Sequence, residues 1–189
     1  MDSKLWAYHE CLARDFLIHE KEVKGMIYQR NRAVQYADTF WDKANPNYIE
    51  FPVDCTNFVS QCLYAGGLPM HYTETRERGW WYKGKHQNRE MWSYSWAVAH
   101  SLQLYLLSSY RGTAVSQVQQ LEPGDIISYD WDGDGRFQHS AFVTTRNAQG
   151  IPLVNAHTYN TIHKLWDYRD SGAWTPQTTY LFIKIANQV

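Results

Sequence analysis

The spacing of apolar residues changes partway along the chain. In the first part, apolar residues recur at steps of three and four, which is the period of an amphipathic helix. This pattern predicts helices over residues 3–23, 31–43, 55–65 and 95–112. From about residue 115 onward, short apolar runs alternate with glycine- and aspartate-rich turns, which indicates strands. Helices followed by a mostly antiparallel sheet predict the α+β fold class.

Most of the sheet is expected from one continuous region. The segment "EPGDIISYDWDGDGRFQHSAFVTTRNAQGIPLVNAHT" is typical of three short strands joined by turns, and "TTYLFIKIA" near the end predicts a last strand. Residues 71–95 are polar and aromatic, and they predict a long loop between the third and fourth helices.

The stretch "PVDCTNFVSQCLYAGGLPM" carries the third predicted helix and two of the three cysteines of the chain. Asp54 or Thr56 can cap the helix at its N-terminus, and two glycines followed by a proline end it. Cys55 therefore falls in the first helical turn, where the partial positive charge of the helix end favours a thiolate. We expect the Asp54 carboxylate to bind the helix amides, because otherwise it would raise the pKa of the neighbouring thiol.

Composition narrows the possible functions. The chain has 189 residues, 44% hydrophobic and 20% charged, which suits one globular domain with a hydrophobic core. A net charge of −1 gives no reason to expect binding to nucleic acid or anionic lipid. No apolar run reaches the roughly 20 residues of a transmembrane helix, and no export signal is visible, which leaves the compartment open.

The number and spacing of the cysteines do not indicate a disulfide or zinc scaffold. Their number is odd and no C-x-x-C is present, so we expect neither a disulfide framework nor a structural metal site, and no cofactor is predicted. His139 begins one predicted strand, while Asn155 and His157 share a face of the next. A cysteine, a histidine and a polar residue in this order match a nucleophile, its base and the group that orients the base.

Each of these residues also has a plainer interpretation. A cysteine on the apolar face of a helix is usually a small core residue, which is the interpretation that we favour for Cys62 and Cys11. His139 could simply close a turn, and His157 could be a hydrogen-bonded strand residue. From the residues alone, catalysis by Cys55 and a structural role for it are about equally supported.

Two further features have alternative explanations. "DWDGDGR" matches the first half of a calcium-binding loop, but Ala141 stands where the bidentate glutamate should be, so we expect a hairpin turn that positions the following histidine. Trp80, Trp81 and Tyr82 lie in the aromatic loop, and they predict either a platform on which substrate stacks or a lid packed over the core.

Several segments resemble a known family. "DCTNFVSQCLYAGGLPM", "WWY", "SWAVAHSLQLYL", "LEPGDIISYDWDGDGRFQHSAFVT" and "NAHT" resemble the putative amidase domain family of mainly Gram-positive bacteria. That family is similar to NlpC-type and other papain-like cell-wall cysteine peptidases. The resemblance covers roughly Tyr28 to Ile185, so we predict a domain over 28–189 and an N-terminal helical extension over 1–27.

The resemblance implies a papain-like core, in which the nucleophile helix packs on the sheet. Cys55 would be the nucleophile and His139 the base, and either His157, which we favour, or Asn155 would orient the base. The expected reaction is hydrolysis of an amide bond in peptidoglycan or a related peptide. The second oxyanion donor and the oligomeric state stay open. The alternatives are a non-enzymatic glycan- or peptide-binding domain that uses the aromatic loop, and a thiol acyltransferase.

Overall fold

The computed structural model describes residues 26–84 and 91–188 of the chain. The helix predicted over residues 3–23 lies outside these ranges. Within them there are four α-helices: α1 (Arg30–Phe40), α2 (Cys55–Ala65), α3 (Tyr94–Ala97) and α4 (Ala99–Ser108). None of the helices in the described ranges is long and apolar enough to cross a membrane.

Six strands follow the helices and form a single sheet. They are β1 (Gly112–Val115), β2 (Ile126–Asp130), β3 (His139–Arg146), β4 (Pro152–Ala156), β5 (Thr161–Leu165) and β6 (Thr179–Ile185). Their order is β1-β6-β2-β3-β4-β5, and every neighbouring pair is antiparallel. The predicted α+β class is therefore confirmed. The sequence pattern missed β1 and β5, which are the two edge strands of the sheet.

Helix α2 has the predicted bounds. Gly67, with a φ of +92°, adopts the left-handed conformation that stops a helix, and the preceding residue closes the last turn. By contrast, the single helix predicted over 95–112 is divided in two. Val98 is extended, with φ −120° and ψ 123°, and it separates α3 from α4.

The two faces of the sheet carry separate apolar cores. On one face, α1, α2 and the aromatic loop pack over Ile126, Phe142 and Ile183. On the other face, side chains such as Ala141 and Tyr168 form a second cluster. This division follows from the alternation of side chains along a strand, and it decides which predicted site residues can meet.

Candidate active site

Helix α2 begins where strands β3 and β4 separate. The β3–β4 pairing ends at Phe142 and Asn155, whereas β3 continues back to His139 beside β2. Cys55, the first residue of α2, lies in this gap, and the backbone N–H of Ser140 is directed at its thiol. The nucleophile candidate is thus adjacent to the strand end that carries the candidate base.

The environment of Cys55 favours a neutral thiol. The residue is only 3% exposed, and burial raises the pKa of its thiol above the ordinary value. Hydrogen bonds from the Ser140 amide and from Thr56 act in the opposite direction, and the nearby Asp54 carboxylate raises the pKa further. The expectation of a thiolate stabilised by the helix end is therefore not met in this state, because desolvation is the larger effect.

His139 is enclosed by aromatic rings. Its ring centroid lies 5.3 Å from that of Tyr129, 5.7 Å from that of Trp131 and 5.5 Å from that of Tyr168. The residue as a whole is partly exposed, but its Nε2 atom is buried and has no hydrogen-bond partner among the described residues. Burial lowers the pKa of His139 to about 4, so the imidazole is neutral near pH 7.

The predicted contact between His139 and an orienting residue does not form. His139 is opposite Tyr129, whereas Asn155 is opposite Phe142, three residues further along β3. Because side chains alternate between the faces of a strand, His139 and Asn155 point to opposite sides of the sheet. Asn155 instead donates to Asp38 at 2.9 Å and accepts from Thr144 at 3.1 Å.

His157 also has partners other than His139. Its Nδ1 lies 2.9 Å from Asp54 Oδ2, its Nε2 lies 2.6 Å from the carbonyl oxygen of Phe40, and its ring stacks on Phe58 with centroids 4.1 Å apart. The two ring nitrogens thus face a carboxylate oxygen and a backbone carbonyl oxygen. His157 therefore joins the end of α1 to the start of α2.

The Asp54 carboxylate does not cap α2, contrary to expectation. Asp54 is the N-cap residue by position, but its side chain does not hydrogen-bond to the first helical amides. Its carboxylate accepts from the Phe51 amide at 3.0 Å, the Asn57 side chain at 2.8 Å and His157. The first amides of α2, which have no acceptor within the helix, thus stay available to bind an oxyanion.

The aromatic residues predicted as a substrate platform are buried. Trp80, Trp81 and Tyr82 are 0%, 4% and 6% exposed, respectively. Trp80 donates to Ser60 of α2 at 3.0 Å, and the Tyr82 hydroxyl accepts from the Ile49 amide at 2.9 Å. These rings are packed in the interior, with Trp80 against α2, and they present no open face to a substrate. The structure therefore supports the packing interpretation.

The glycine-rich turn before His139 is organised by Asp130 at the end of β2. Its carboxylate accepts from the amides of Gly133 and Gly135, each at 2.8 Å. Desolvation acts to raise the pKa of Asp130, but these bonds together lower it. No group of three or more His, Cys, Asp or Glu side chains among the described residues could hold a metal ion. The turn is thus an Asp-closed hairpin loop that leads into β3.

A polar cavity of about 240 Å³ is lined in part by Asp54. Lys43, Glu50 and His157 are among its lining residues, so it carries both signs of charge. A larger cavity of about 520 Å³ is lined by α4 and the aromatic loop, and its lining includes neither Cys55 nor His139. The lining of the smaller cavity likewise includes neither Cys55 nor His139, but it does include Asp54, the residue that precedes Cys55.

The sequence analysis missed one prominent residue of this site. Tyr168 follows β5 and packs against the ring of His139, and its buried hydroxyl has no partner within the described part of the chain. "LWDYRD" carries no motif or periodicity that could have singled it out. Only the three-dimensional arrangement shows it.

The chain is similar to known proteins over most of its length. Residues 27–183 match the family described as "Putative amidase domain". "Uncharacterized protein YhbB" of Bacillus subtilis (strain 168) is 46% identical over 173 residues, which cover 89% of this chain and 54% of that protein. "Uncharacterized protein YjcM" of the same organism is 28% identical over 157 residues, covering 77% of this chain and 34% of that protein.

The chain thus spans about half and about a third of the lengths of these two curated relatives. No solved structure matches it. The family match includes α1, α2 and strands β1 to β5, and with them Cys55, His139, Asn155 and His157. On the strength of that match, the chain belongs to the family described as "Putative amidase domain".

Proposed function

We propose that this chain hydrolyses an amide bond with Cys55 as nucleophile and His139 as base. The observation that carries the proposal is the position of the Cys55 thiol beside the start of β3, where His139 holds a buried Nε2 atom that has no partner in the described ranges. The family match supports a hydrolase that acts on amides.

The reaction begins from a neutral pair. Because burial raises the pKa of Cys55 and lowers that of His139, the thiol keeps its proton until it attacks. The proton then passes to His139 as Sγ bonds to the carbonyl carbon. The uncapped amides at the start of α2 stabilise the oxyanion. His139 returns the proton to the leaving amine, and water hydrolyses the thioester.

The substrate class that we propose is peptidoglycan or a related peptide. This part rests on the resemblance to papain-like cell-wall peptidases, with a papain-like arrangement of α2 on the sheet. The polar cavity beside Asp54 carries both signs of charge, which suits a short peptide with its own charged groups. Because Trp80, Trp81 and Tyr82 are buried, no observation favours glycan binding through the aromatic loop.

A small acyl donor tests the chemistry without a known substrate. With p-nitrophenyl acetate, we expect wild-type protein to release a burst of p-nitrophenolate and to carry one acetyl group on Cys55, located by peptide mass mapping. Cys55→Ala abolishes the burst, and His139→Gln slows it roughly 100-fold or more because the general base is lost.

Cys62→Ala is the matched control. Cys62 lies on the same helix and is fully buried in the core, so its removal leaves the burst unchanged. Acetylation at a cysteine other than Cys55, or an undiminished burst in Cys55→Ala, would contradict the proposal.

A further inference from the structure

Tyr168 combines features that a purely structural tyrosine would lack. Its ring meets that of His139 in a T-shaped contact with centroids 5.5 Å apart, and the residue is 5% exposed. Its hydroxyl is buried without a partner among the described residues, as is Nε2 of His139. Two neighbouring side chains of the candidate site thus each hold a buried polar atom that lacks a partner, which suggests a shared space for substrate atoms.

Thr161 is the neighbouring hydroxyl that lowers the pKa of Tyr168. It donates to the Tyr159 carbonyl at 2.7 Å and could only accept from Tyr168, but no hydrogen bond of normal length joins the two hydroxyls. A buried hydroxyl without a partner destabilises a fold, a feature that Tyr168 shares with Tyr105 of α4 in the described ranges, so its position beside His139 is what sets Tyr168 apart.

The backbone at Tyr168 is also unusual. Its φ of +52° lies in the left-handed region, which is rare for a large aromatic residue. The Ser171 amide donates to the Tyr168 carbonyl at 2.8 Å, and the Lys164 ammonium lies 4.8 Å from the centre of the ring. Strained backbone of this kind is concentrated at functional sites, and here it turns the ring toward His139.

The pKa of Tyr168 is consistent with a role for its hydroxyl as a hydrogen-bond donor near the Cys55 thiol. Burial raises the pKa of Tyr168 to about 12, and negative charge on Cys55 raises it further. The hydroxyl therefore keeps its proton in the neutral range and can donate a hydrogen bond to a developing negative charge.

We propose that Tyr168 is a catalytic residue whose hydroxyl donates a hydrogen bond to the oxyanion formed when Cys55 attacks a carbonyl carbon, together with the amides at the start of α2. This inference rests on the proposed cysteine mechanism. As the Sγ–C bond forms, the thiol proton moves to His139 and the C=O π electrons move to oxygen, where Tyr168 stabilises them. The C–N bond then breaks, the carbonyl re-forms, and the amine leaves with the proton from His139.

Two reagents separate this role from others. Acylation by p-nitrophenyl acetate passes through an oxyanion, whereas alkylation by iodoacetamide is a direct displacement at carbon and forms none. For Tyr168→Phe we expect the acylation rate of Cys55 to fall roughly 100-fold, the usual effect of losing an oxyanion donor, while the alkylation rate stays within about twofold.

Tyr105→Phe is the matched control. Tyr105, on α4, is the other described tyrosine with a buried hydroxyl that lacks a partner, and its neighbour Ser109 likewise donates to a backbone carbonyl. Its ring contacts are His71 and Trp80, away from Cys55. Both variants should melt no lower than wild type, because each removes an unsatisfied hydroxyl, and only Tyr168→Phe should lose acylation.

The outcomes are distinct. Equal losses of acylation and alkylation in Tyr168→Phe would overturn the oxyanion role, and so would unchanged acylation. A wild-type protein that acquires no acetyl group on Cys55 would instead overturn the proposed function, before Tyr168 is considered.

Discussion

At the scale of single residues, burial keeps both Cys55 and His139 uncharged near neutral pH. A thiolate–imidazolium pair needs surroundings that stabilise both charges, whereas the aromatic rings around His139 exclude water and burial lowers its pKa. The sequence placed Cys55 at a helix N-terminus correctly, but the degree of burial there depends on residues far away in the chain.

The resting charge state can be read from the pH dependence of alkylation. Because the pKa of Cys55 is raised, we expect the rate of iodoacetamide labelling at Cys55 to rise with pH through the alkaline range. A rate that is already maximal and level across the neutral range would reveal a thiolate–imidazolium pair and contradict this assignment. Mass mapping separates Cys55 from the other two cysteines.

His139 should also make stability depend on pH. Its pKa is about 4 in the folded chain, against an ordinary value of 6.5, so between these values the unfolded chain binds more protons. Stability is fully present above about pH 6.5 and falls as the pH drops toward 4, by roughly 2–3 kcal/mol when the partial exposure of the residue is considered.

Urea unfolding of wild type and His139→Gln at about pH 7 and about pH 4.5 measures this contribution. Glutamine does not titrate in this range, so the variant should lose less stability on acidification than wild type does. Equal losses in both proteins would show that His139 titrates normally.

At the scale of elements, the start of α2 is held by a network that the sequence did not reveal. His157 contacts Asp54 and the end of α1, and Asn57 donates to Asp54 and accepts from Trp96 at 2.7 Å. His157, which the sequence suggested as an orienting group for the base, therefore contacts the start of α2 instead. The polar "DCTN" motif is explained by this buried network as much as by the thiol.

Replacing His157 with phenylalanine tests that network. The new ring would keep the stacking on Phe58, but both hydrogen bonds would be lost, and the Asp54 carboxylate would keep only its Phe51 and Asn57 donors. We therefore expect a loss of roughly 2–4 kcal/mol in the free energy of unfolding. The comparison is His163→Asn, which removes an exposed contact with Asp38 and should cost less than about 1 kcal/mol. Similar costs for the two, measured by urea unfolding, would argue against this role of His157.

The sequence predicted where helices and strands lie better than it predicted which side chains meet across the sheet. The bounds of α2 followed from a capping position and two glycines, and β2, β3, β4 and β6 from apolar runs. The edge strands β1 and β5 were missed, since half of their residues face solvent and they lack such a run. The alternation of side chains along a strand correctly put Asn155 and His157 on the same face. Their separation from His139 depends on the register between strands, which the pattern of a single strand does not contain.

At the scale of the whole molecule, an ion pair joins α1 to the centre of the sheet. The Arg30 guanidinium lies 2.7 Å from Asp125 of the "PGD" segment and also donates to the Ile185 carbonyl at 2.7 Å. The Asp125 side chain is fully buried and accepts from the amides of Glu122 and Ile185. The Pro-Gly-Asp sequence thus has a structural role, because its Asp125 joins α1 to the sheet, away from the Cys55 thiol.

Arg30→Met should destabilise the protein strongly. It leaves the Asp125 carboxylate buried without its cation, for which we expect a loss of about 3–5 kcal/mol in the free energy of unfolding. Lys184→Met breaks the exposed pair with Glu122 on the same side and should cost less than about 1 kcal/mol. Urea unfolding of both variants gives the comparison, and a mild effect of Arg30→Met would show that Asp125 is satisfied by the amides alone.

The most direct measurement for the molecule as a whole is digestion of purified peptidoglycan, with mass analysis of the released fragments. We predict that wild type and Cys62→Ala release peptides whose masses account for one water added at a cleaved amide bond. Cys55→Ala and His139→Gln should release almost none. Equal release by wild type and Cys55→Ala would contradict the cysteine mechanism, and no release by wild type would contradict the proposed substrate.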